Sequence, residues 1–444
     1  MKRAIEEELW AWKDQLKRCP LIVRGARQVG KSYLIESFGK QAFESCLVIN
    51  FEMHPELSSC FTSLDPEEIL QKFKVYKGAT IIPGKTLIFL DEIQRCPKAL
   101  MALRYFKEKR PDLHVIAAGS LLEFALEEEG FSFPVGRVEF LHLRPMSFLE
   151  VLDAMNHSHL IELMKKWSLQ SPPDDDLHQH CLKLIRPYLF IGGMPEIVDI
   201  YCKEQDFERC ERRQAALIKT YRDDFGKYAH RARHKYLQRV LDRAPFLIGK
   251  HFQYSKVDPD FRSRDLKIAV EQLSQAGLIT RIHTCAANGL PLRAEMNEKK
   301  FKILLLDVGL LQLALGNLGS EMLQSDILEI HRGALAEQFV GQELLAYSDY
   351  YMERLLHFWE RAKYSSSAEV DYIVNIKGKI IPIEVKAGAT GRLRSIKQLM
   401  KEKNLPLGVR ISQHPLSFEN GILSIPFYLI HAMPRLIDEV LQSG

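Results

Sequence analysis

The segment Gly25-Ala26-Arg27-Gln28-Val29-Gly30-Lys31-Ser32 has residue types and a spacing that suit the binding of phosphate groups. Its two glycines allow the backbone to curl so that N–H groups point toward phosphate oxygens. An apolar run precedes the segment and a helical pattern follows it, which places a helix N-terminus beside the same phosphates. We therefore predict a nucleotide-binding loop from Gly25 to Tyr33, in which Lys31 reaches the β- and γ-phosphates and Ser32 binds Mg²⁺.

Two acids, Asp91 and Glu92, directly follow the apolar run Leu87–Leu90. Such a strand end supplies groups that can act on Mg²⁺ and on water beside bound phosphates. We predict that Asp91 holds Mg²⁺ through water and that Glu92 polarises the attacking water. Taken alone, the two acids would also suit the cap of the next helix, but the phosphate-binding motif favours the catalytic interpretation.

Two further residues fit roles at the same site. The predicted strand Leu113–Gly119 ends at Ser120, which we expect to sense the γ-phosphate; the alternative is an N-cap for the following helix. Arg137 lies just before the last predicted strand, in Val135-Gly136-Arg137. An arginine is needed to stabilise the charge that develops on the transferred phosphoryl group. We expect Arg137 to serve a neighbouring subunit of a homo-oligomer, the alternative being a surface arginine.

These motifs occur together with the segments Leu143–Glu150 and Gly192–Glu196, in an order found in a prokaryotic family. The chain resembles the AAA-type ATPases that end in a domain of unknown function with a nuclease-like pattern. The resemblance implies ATP and Mg²⁺ as cofactors, a helical lid after the ATPase core, and then a winged-helix module. It also implies that Pro195 belongs to a Gly-x-Pro element that touches adenine, although a simple helix break explains the same residues.

Near the C-terminus, the segment Glu369–Lys386 predicts a hairpin whose two-residue turn is Lys377-Gly378. With that turn, Asp371 lies opposite Glu384, and Lys386 lies on the same face two residues later. A predicted helix upstream could add Glu337. Two carboxylates and a lysine would therefore converge on one face of the sheet.

This second group resembles the PD-(D/E)xK nuclease pattern. The resemblance implies that Asp371, Glu384 and Glu337 hold Mg²⁺, which polarises a phosphate, and that Lys386 positions or activates water. The alternative is a charged cross-strand cluster on a solvated sheet face. The pattern also leaves open whether the domain cleaves DNA or only binds it.

The elements that must position these residues alternate between strand and helix over residues 21–145, which predicts a parallel sheet covered on both faces. The expected fold class is α/β: a P-loop AAA-type sheet with a helical lid, a winged-helix module, and a nuclease-like α/β domain. The predicted boundaries are 1–160 for the core with its N-terminal helix, 161–205 for the lid, 206–316 for the winged-helix module and 325–444 for the nuclease-like domain.

DNA is the predicted partner because basic residues concentrate in two regions. The long helical stretch Phe207–Arg243 is rich in arginine and lysine, and a later helix carries Arg262, Arg264 and Lys267. Such residues can follow phosphates or enter a groove. A solvated or inter-subunit face is the other interpretation.

Composition places the chain among ordinary globular proteins, with 444 residues, 27% charged residues and a net charge of +4. No run of 18 apolar residues predicts a membrane span, and the eight cysteines form no CxxC pair, which fits a reducing cytoplasm. The sequence therefore predicts a cytoplasmic Mg²⁺-dependent ATPase that acts on DNA. An ATP-gated interaction switch with a non-cleaving C-terminal domain is the alternative.

Overall fold

The structure is a computed structural model. It describes residues 1–120, 136–225, 233–316, 332–353, 355–361, 368–388 and 392–443.

Within the described residues, five parallel strands form the N-terminal sheet in the order β2-β3-β4-β1-β5. The strands are β1 (Leu21–Arg24), β2 (Ser45–Asn50), β3 (Thr86–Asp91), β4 (His114–Ala118) and β5 (Glu139–His142). Each overlaps a run of β-branched or bulky apolar residues, and every residue of β3 and β4 is buried, as expected of strands covered on both faces. The predicted parallel sheet is confirmed.

Helices cover this sheet because their apolar faces pack against it. They are α1 (Glu6–Lys13), α2 (Lys31–Ala42), α3 (Pro66–Lys77) and α4 (Pro97–Lys109). The helix α3 begins where the side chain of Asp65 accepts the N–H of Glu67, and Pro66 occupies the first turn, where no N–H is needed. The helix α2 begins directly after the glycine-containing loop, so its N-terminus faces that loop.

A helical region follows the sheet. It contains α5 (Phe148–Ala154), α6 (Ser158–Lys166), α7 (Asp175–Ile191), α8 (Pro195–Glu204) and α9 (Phe207–Asp223). The helix α7 ends at Gly192, whose φ of 71° is left-handed, and α8 begins at Pro195. Glycine tolerates this conformation and proline suits a first helical turn, so the chain reverses within four residues.

Three more helices precede an antiparallel hairpin. The helices are α10 (His234–Arg243), α11 (Tyr254–Val257) and α12 (Ser263–Gln275), and the hairpin pairs β6 (Ile279–Cys285) with β7 (Met296–Leu305). The resemblance implies a winged-helix module in this region, and that assignment stays a prediction.

The hairpin belongs to a larger mixed sheet whose order is β12-β13-β11-β10-β9-β8-β6-β7. The further strands are β8 (His357–Glu360), β9 (Glu369–Ile376), β10 (Lys379–Val385), β11 (Gly408–Ser412), β12 (Ser417–Glu419) and β13 (Ile422–Pro426), and the helices are α13 (Val308–Ala314), α14 (Arg332–Ala346), α15 (Arg394–Lys403) and α16 (Met433–Ser443). Because β6 pairs with β8, strands from both predicted C-terminal modules, 206–316 and 325–444, belong to one sheet. The boundaries of these modules stay predictions.

The register of the hairpin β9–β10 agrees with the sequence interpretation. Lys379 pairs with Ile376, and Ile383 pairs with Tyr372, as the turn at Lys377-Gly378 requires. Among the described residues, no helix is long and apolar enough to cross a membrane.

Candidate functional site

The loop from Gly25 to Ser32 joins the end of β1 to the start of α2, and its shape depends on glycine. Gly25 and Gly30 have φ values of 146° and 94°, which side chains with a Cβ rarely adopt. A Cβ at Gly25 would lie 2.2 Å from the carbonyl oxygen of Leu143, so the backbone directly after β5 passes too close for any larger residue. The motif therefore forms a tight turn that requires glycine, both for its φ values and for the close approach of the neighbouring backbone.

Lys31 lies inside this loop. Its side chain is almost fully covered, and its ammonium donates to the carbonyl oxygens of Gly25 at 2.9 Å and Ala26 at 2.8 Å. Burial lowers the pKa of Lys31 to about 8, because the surroundings disfavour a charge. The ammonium is thus held at the point where the loop would receive an anion.

Ser32 and Asp91 meet at the carboxyl edge of the sheet. The hydroxyl of Ser32 donates to Asp91 Oδ2 at 2.9 Å, and Asn50 donates to the same oxygen at 3.0 Å. Burial raises the pKa of Asp91 above its usual value. A hydroxyl and a carboxylate in contact are oxygen ligands of the type that Mg²⁺ prefers, so these residues fit the ion. Asn50 carried no signal in the sequence.

Glu92 and Ser120 lie at the same edge. Glu92 has a left-handed φ of 51°, and its Oε2 accepts from Gln94 Nε2 at 2.5 Å. The built Cβ of Gly119 would lie 2.5 Å from Gln94 Oε1, so Gln94 reaches from Glu92 to the residue before Ser120. Gln94 therefore holds Glu92 and packs against the residue that precedes Ser120.

Arg27 connects the loop to the end of α9, a contact that the sequence did not reveal. Its guanidinium donates to Asp224 Oδ2 at 2.5 Å and, more weakly, to Ser120 Oγ at 3.4 Å. The hydroxyl of Tyr221 donates to the carbonyl oxygen of Arg27 at 3.0 Å. Residues almost 200 positions apart meet here, which only the tertiary fold can bring about.

Pro195 and Arg3 border the other side of the loop. A Cβ on Gly30 would lie 3.4 Å from Pro195 Cγ, so the α7–α8 break touches the nucleotide loop. Arg3 donates to the carbonyl oxygen of Val29 at 3.1 Å. Tyr33, the last residue of the predicted loop, is 63% exposed. The structure brings Pro195 to the loop, while its contact with adenine stays a prediction.

Arg137 lies elsewhere. It is about half exposed and donates to Glu108 Oε1 at 3.0 Å. Because β5 runs parallel to β1 and begins at Glu139, Arg137 lies at the amino edge of the sheet, separated from the loop by the length of β1, roughly 13 Å. Within one chain it does not join the loop residues.

The α7–α8 break is held by Asp307, a buried residue just before α13. Its Oδ2 accepts the N–H of Gly193 at 2.6 Å, and its Oδ1 accepts that of Gly309 at 2.9 Å. A Cβ at Gly192 would lie 2.0 Å from Asp307 Oδ1. Burial raises the pKa of Asp307 to about 6. A carboxylate from the C-terminal half therefore fixes the segment that touches the nucleotide loop.

Glu343 on α14 makes a second buried connection. It accepts the N–H of Phe148 at 3.1 Å and the hydroxyl of Tyr188 at 3.0 Å. Gln342, the neighbouring residue, donates to Tyr188 and, at 3.3 Å, to Asp307 Oδ2. Burial raises the pKa of Glu343 to about 7. The segments Leu143–Glu150 and Gly192–Glu196 thus contact the C-terminal half through one polar network.

The predicted acidic cluster is assembled as the hairpin register requires. Asp371 Oδ2 accepts the N–H of Val385 at 2.8 Å, and Lys386 donates to Glu384 Oε1 at 2.6 Å. Glu384 Oε2 is buried and has no hydrogen-bond partner in the described part of the chain. Asp371, Glu384 and Lys386 are therefore neighbours.

Lys302 on β7 completes this cluster, and the sequence analysis missed it. Its ammonium lies 3.3 Å from Glu337 Oε2 and 3.8 Å from Asp371 Oδ1, and it also contacts Glu369. The side chain is 2% exposed, and the ring centroid of Phe358 lies 5.3 Å from the ammonium. The sequence of β7 does not indicate that Lys302 points into an acidic cluster, because a lysine in a strand is normally expected to face solvent.

The cluster does not fit a divalent cation in this arrangement. Among the described residues, no three histidine, cysteine, aspartate or glutamate side chains form a group that could hold a metal ion. Burial and the neighbouring acids raise the pKa values of Glu337 and Glu384, and the charges of Lys302 and Lys386 oppose this rise.

Comparisons with protein families divide the chain into three matched regions. Residues 17–152 match an AAA domain. Residues 182–321 and 332–430 match two domains of unknown function, DUF8612 and DUF4143. No curated protein matches the chain.

Several solved structures are similar in part. A Walker-type ATPase of Pyrococcus abyssi is 15% identical, with 71% of this chain and 96% of that chain covered and a TM-score of 0.46. The Aeropyrum pernix ORC2 protein, in ADPNP and ADP complexes, is 13% identical, with 72% and 95% covered and a TM-score of 0.36. The Aeropyrum pernix ORC1 protein in complex with DNA is 13% identical, with 71% and 93% covered and a TM-score of 0.31.

Proposed function

We propose that this chain, an ATPase with an AAA domain at residues 17–152, hydrolyses ATP with Mg²⁺ and uses the cycle to act on DNA. The observation that carries the ATPase part is the 2.9 Å hydrogen bond between Ser32 and Asp91. It joins the two sequence motifs at the carboxyl edge of one parallel sheet. Ligands of open α/β sheets bind at this edge.

The residues of the loop take distinct roles in this proposal. Lys31 and the loop N–H groups bind the β- and γ-phosphates, while Ser32 and Asp91 hold Mg²⁺. Bound Mg²⁺ neutralises phosphate charge. Glu92 polarises the attacking water, and Ser120 contacts the γ-phosphate. Pro195, which lies beside Gly30 of the loop, contacts the adenine base.

The helix α12 is the better candidate for the DNA-binding surface. Arg262, Arg264 and Lys267 are exposed on it, while its opposite face is buried through Leu266 and Ala269. A helix with one basic exposed face and one packed apolar face can enter a DNA groove. Lys267 also lies 3.8 Å from Glu271, but several arginines of α9 pair more closely with acids of the same chain: Arg209 with Glu204, Arg212 with Glu208, Arg213 with Glu196 and Arg222 with Asp242.

The test is the ATPase rate with and without duplex, single-stranded and branched DNA. We expect stimulation by at least one of them, and its loss in the double variant Arg262→Ala/Arg264→Ala. The matched control is Arg212→Ala, which removes an arginine paired with Glu208 on α9 and should leave the stimulation intact. Binding should weaken steeply with salt, by about one unit of log–log slope per phosphate contact.

A second candidate function is an ATP-gated interaction switch. The buried network from Asp307 and Glu343 to the segments beside the nucleotide loop favours it, because nucleotide binding would be felt by the C-terminal half. Slow turnover with a flat response to every DNA would support the switch and contradict the DNA proposal.

A homo-oligomer also belongs to the proposal. Arg137 lies away from its own loop and is about half exposed, so in this proposal it serves the loop of a second copy of the chain.

A further inference from the structure

We propose that Lys302 is the resident cation of the acidic cluster and takes the place of a divalent metal ion. In this proposal the cluster is a metal-independent site that does not hydrolyse phosphodiester bonds. The inference concerns the cluster alone and does not depend on how the nucleotide loop works.

The position of Lys302 carries the inference. Its ammonium contacts carboxylates from two elements, Glu337 on α14 and Glu369 and Asp371 on β9. Charged hydrogen bonds and an aromatic face are the partners that a desolvated ammonium requires. A metal ion between Glu337 and Asp371 would have to displace a buried group that belongs to the chain itself.

The remaining oxygens of the cluster lead to the same conclusion. Asp371 Oδ2 accepts the N–H of Val385, and Glu384 Oε1 accepts from Lys386. Glu384 Oε2 is buried without a hydrogen-bond partner in the described part of the chain, and Asp371 Oδ1 lies 3.8 Å from the Lys302 ammonium. Mg²⁺ and its bound waters need room beside such oxygens, and the ammonium groups of Lys302 and Lys386 already lie against them.

The arrangement also links the hairpin to the acid-bearing elements of the C-terminal sheet. Lys302 lies on β7, within the module predicted to end before the nuclease-like domain, yet its charge balances acids on β9 and α14. Removing one partner of a buried ion pair leaves the other charge uncompensated. The hairpin and the acid-bearing elements are therefore expected to fold and move as one unit.

The experiment measures the melting temperature of the full chain without nucleotide, in EDTA and with Mg²⁺ or Mn²⁺. We expect Mg²⁺ or Mn²⁺ to change the melting temperature by the same amount in the natural chain and in Asp371→Asn. The reason is that any such change, called the ion response below, arises at the nucleotide loop. Lys302→Met should melt at a lower temperature, and Mn²⁺ should partly restore it by mass action. That restoration should disappear in Lys302→Met/Asp371→Asn.

Lys300→Met is the matched control. Lys300 lies two residues away on β7, is more than half exposed, and pairs with Glu360 rather than with the cluster. Its loss should leave both the melting temperature and the ion response close to those of the natural chain.

Two results would overturn the proposal. One is an ion response of the natural chain that Asp371→Asn abolishes; the other is metal-dependent nicking of plasmid DNA that Asp371→Asn or Glu384→Gln removes. If Lys302→Met does not fold, the comparison of the natural chain with Asp371→Asn decides by itself. ATP hydrolysis, measured on the same preparations, tests the proposed function separately.

Discussion

At the scale of single residues, Lys31 and Glu92 lie in one site but affect different steps. Lys31→Ala removes the buried ammonium from the loop, so nucleotide binding should weaken by about tenfold or more, ~1.4 kcal/mol. Fluorescent-nucleotide titration measures this. Unchanged affinity would show that the loop does not use this cation for phosphate.

Glu92→Gln should keep ATP binding and lose hydrolysis. The amide retains the shape of the side chain but cannot polarise water as a carboxylate does, so the rate should fall by roughly 10²–10⁴-fold. Phosphate release under saturating ATP is the measurement. Hydrolysis at the natural rate would move the catalytic role away from Glu92.

Arg137 should act between subunits. Arg137→Ala alone should lower hydrolysis, since charge on the transferred phosphoryl group loses a partner. Mixing Arg137→Ala with Lys31→Ala protein should restore part of the activity, because a mixed interface combines an intact loop with an intact arginine. A strictly monomeric active species, or normal hydrolysis by Arg137→Ala, would contradict the prediction.

The residues that could be predicted from sequence are those whose partners are set by local geometry. Ser32 and Asp91 meet because parallel strands end at one edge, and Asp371 and Glu384 meet because a two-residue turn sets the register. Lys302 and the Arg27–Asp224 pair could not be predicted, since their contacts depend on how distant elements pack. The sequence positions of Lys302 and Asp224 have no spacing, relative to their partners, that would indicate a contact.

At the scale of elements, the α7–α8 break is a joint that glycine makes possible. Gly192→Ala would place a Cβ 2.0 Å from Asp307 Oδ1 at a residue whose φ is 71°. Either Asp307 or the break must then shift, and Pro195 would move relative to the loop. We expect a lower melting temperature and weaker nucleotide binding.

Gly84→Ala is the control for that substitution. Gly84 has a similar φ of 74°, but a Cβ at this position would meet no described atom within 4 Å. The Gly84→Ala variant should therefore lose stability through backbone strain alone, about 1–2 kcal/mol. If both variants lose stability equally and bind nucleotide alike, the contact with Asp307 does not position the break.

The elements themselves were more predictable than their partners. The central strands β1, β3 and β4 follow apolar runs in the sequence, because a strand buried on both faces must be largely apolar. The pairing of β6 with β8 was not predictable, because strands pair through backbone groups, which every sequence carries. The sequence therefore does not reveal that the two predicted modules within residues 206–444 share one sheet.

At the scale of the whole molecule, buried carboxylates connect the two halves. Asp307 and Glu343 accept N–H groups from the break and from α5, which flank the nucleotide loop. Coupling between sites is reciprocal, so a ligand that shifts α14 should change nucleotide affinity by the same factor as nucleotide changes affinity for that ligand.

This connection should make stability depend on pH through Glu343. Burial raises the pKa of Glu343 to about 7 from 4.5, so the folded chain binds this proton more tightly than the unfolded chain does. Its contribution to the free energy of unfolding is fully present below pH 4.5 and is lost as the pH rises through 7, roughly 3 kcal/mol in all. Glu343→Gln removes the titration, so its melting temperature should fall less than that of the natural chain between pH 5 and pH 8. Glu298→Gln, at an exposed position on β7, is the control and should retain the natural pH dependence of the melting temperature. If the melting temperature of all three proteins changes equally with pH, the proton on Glu343 does not link the two halves.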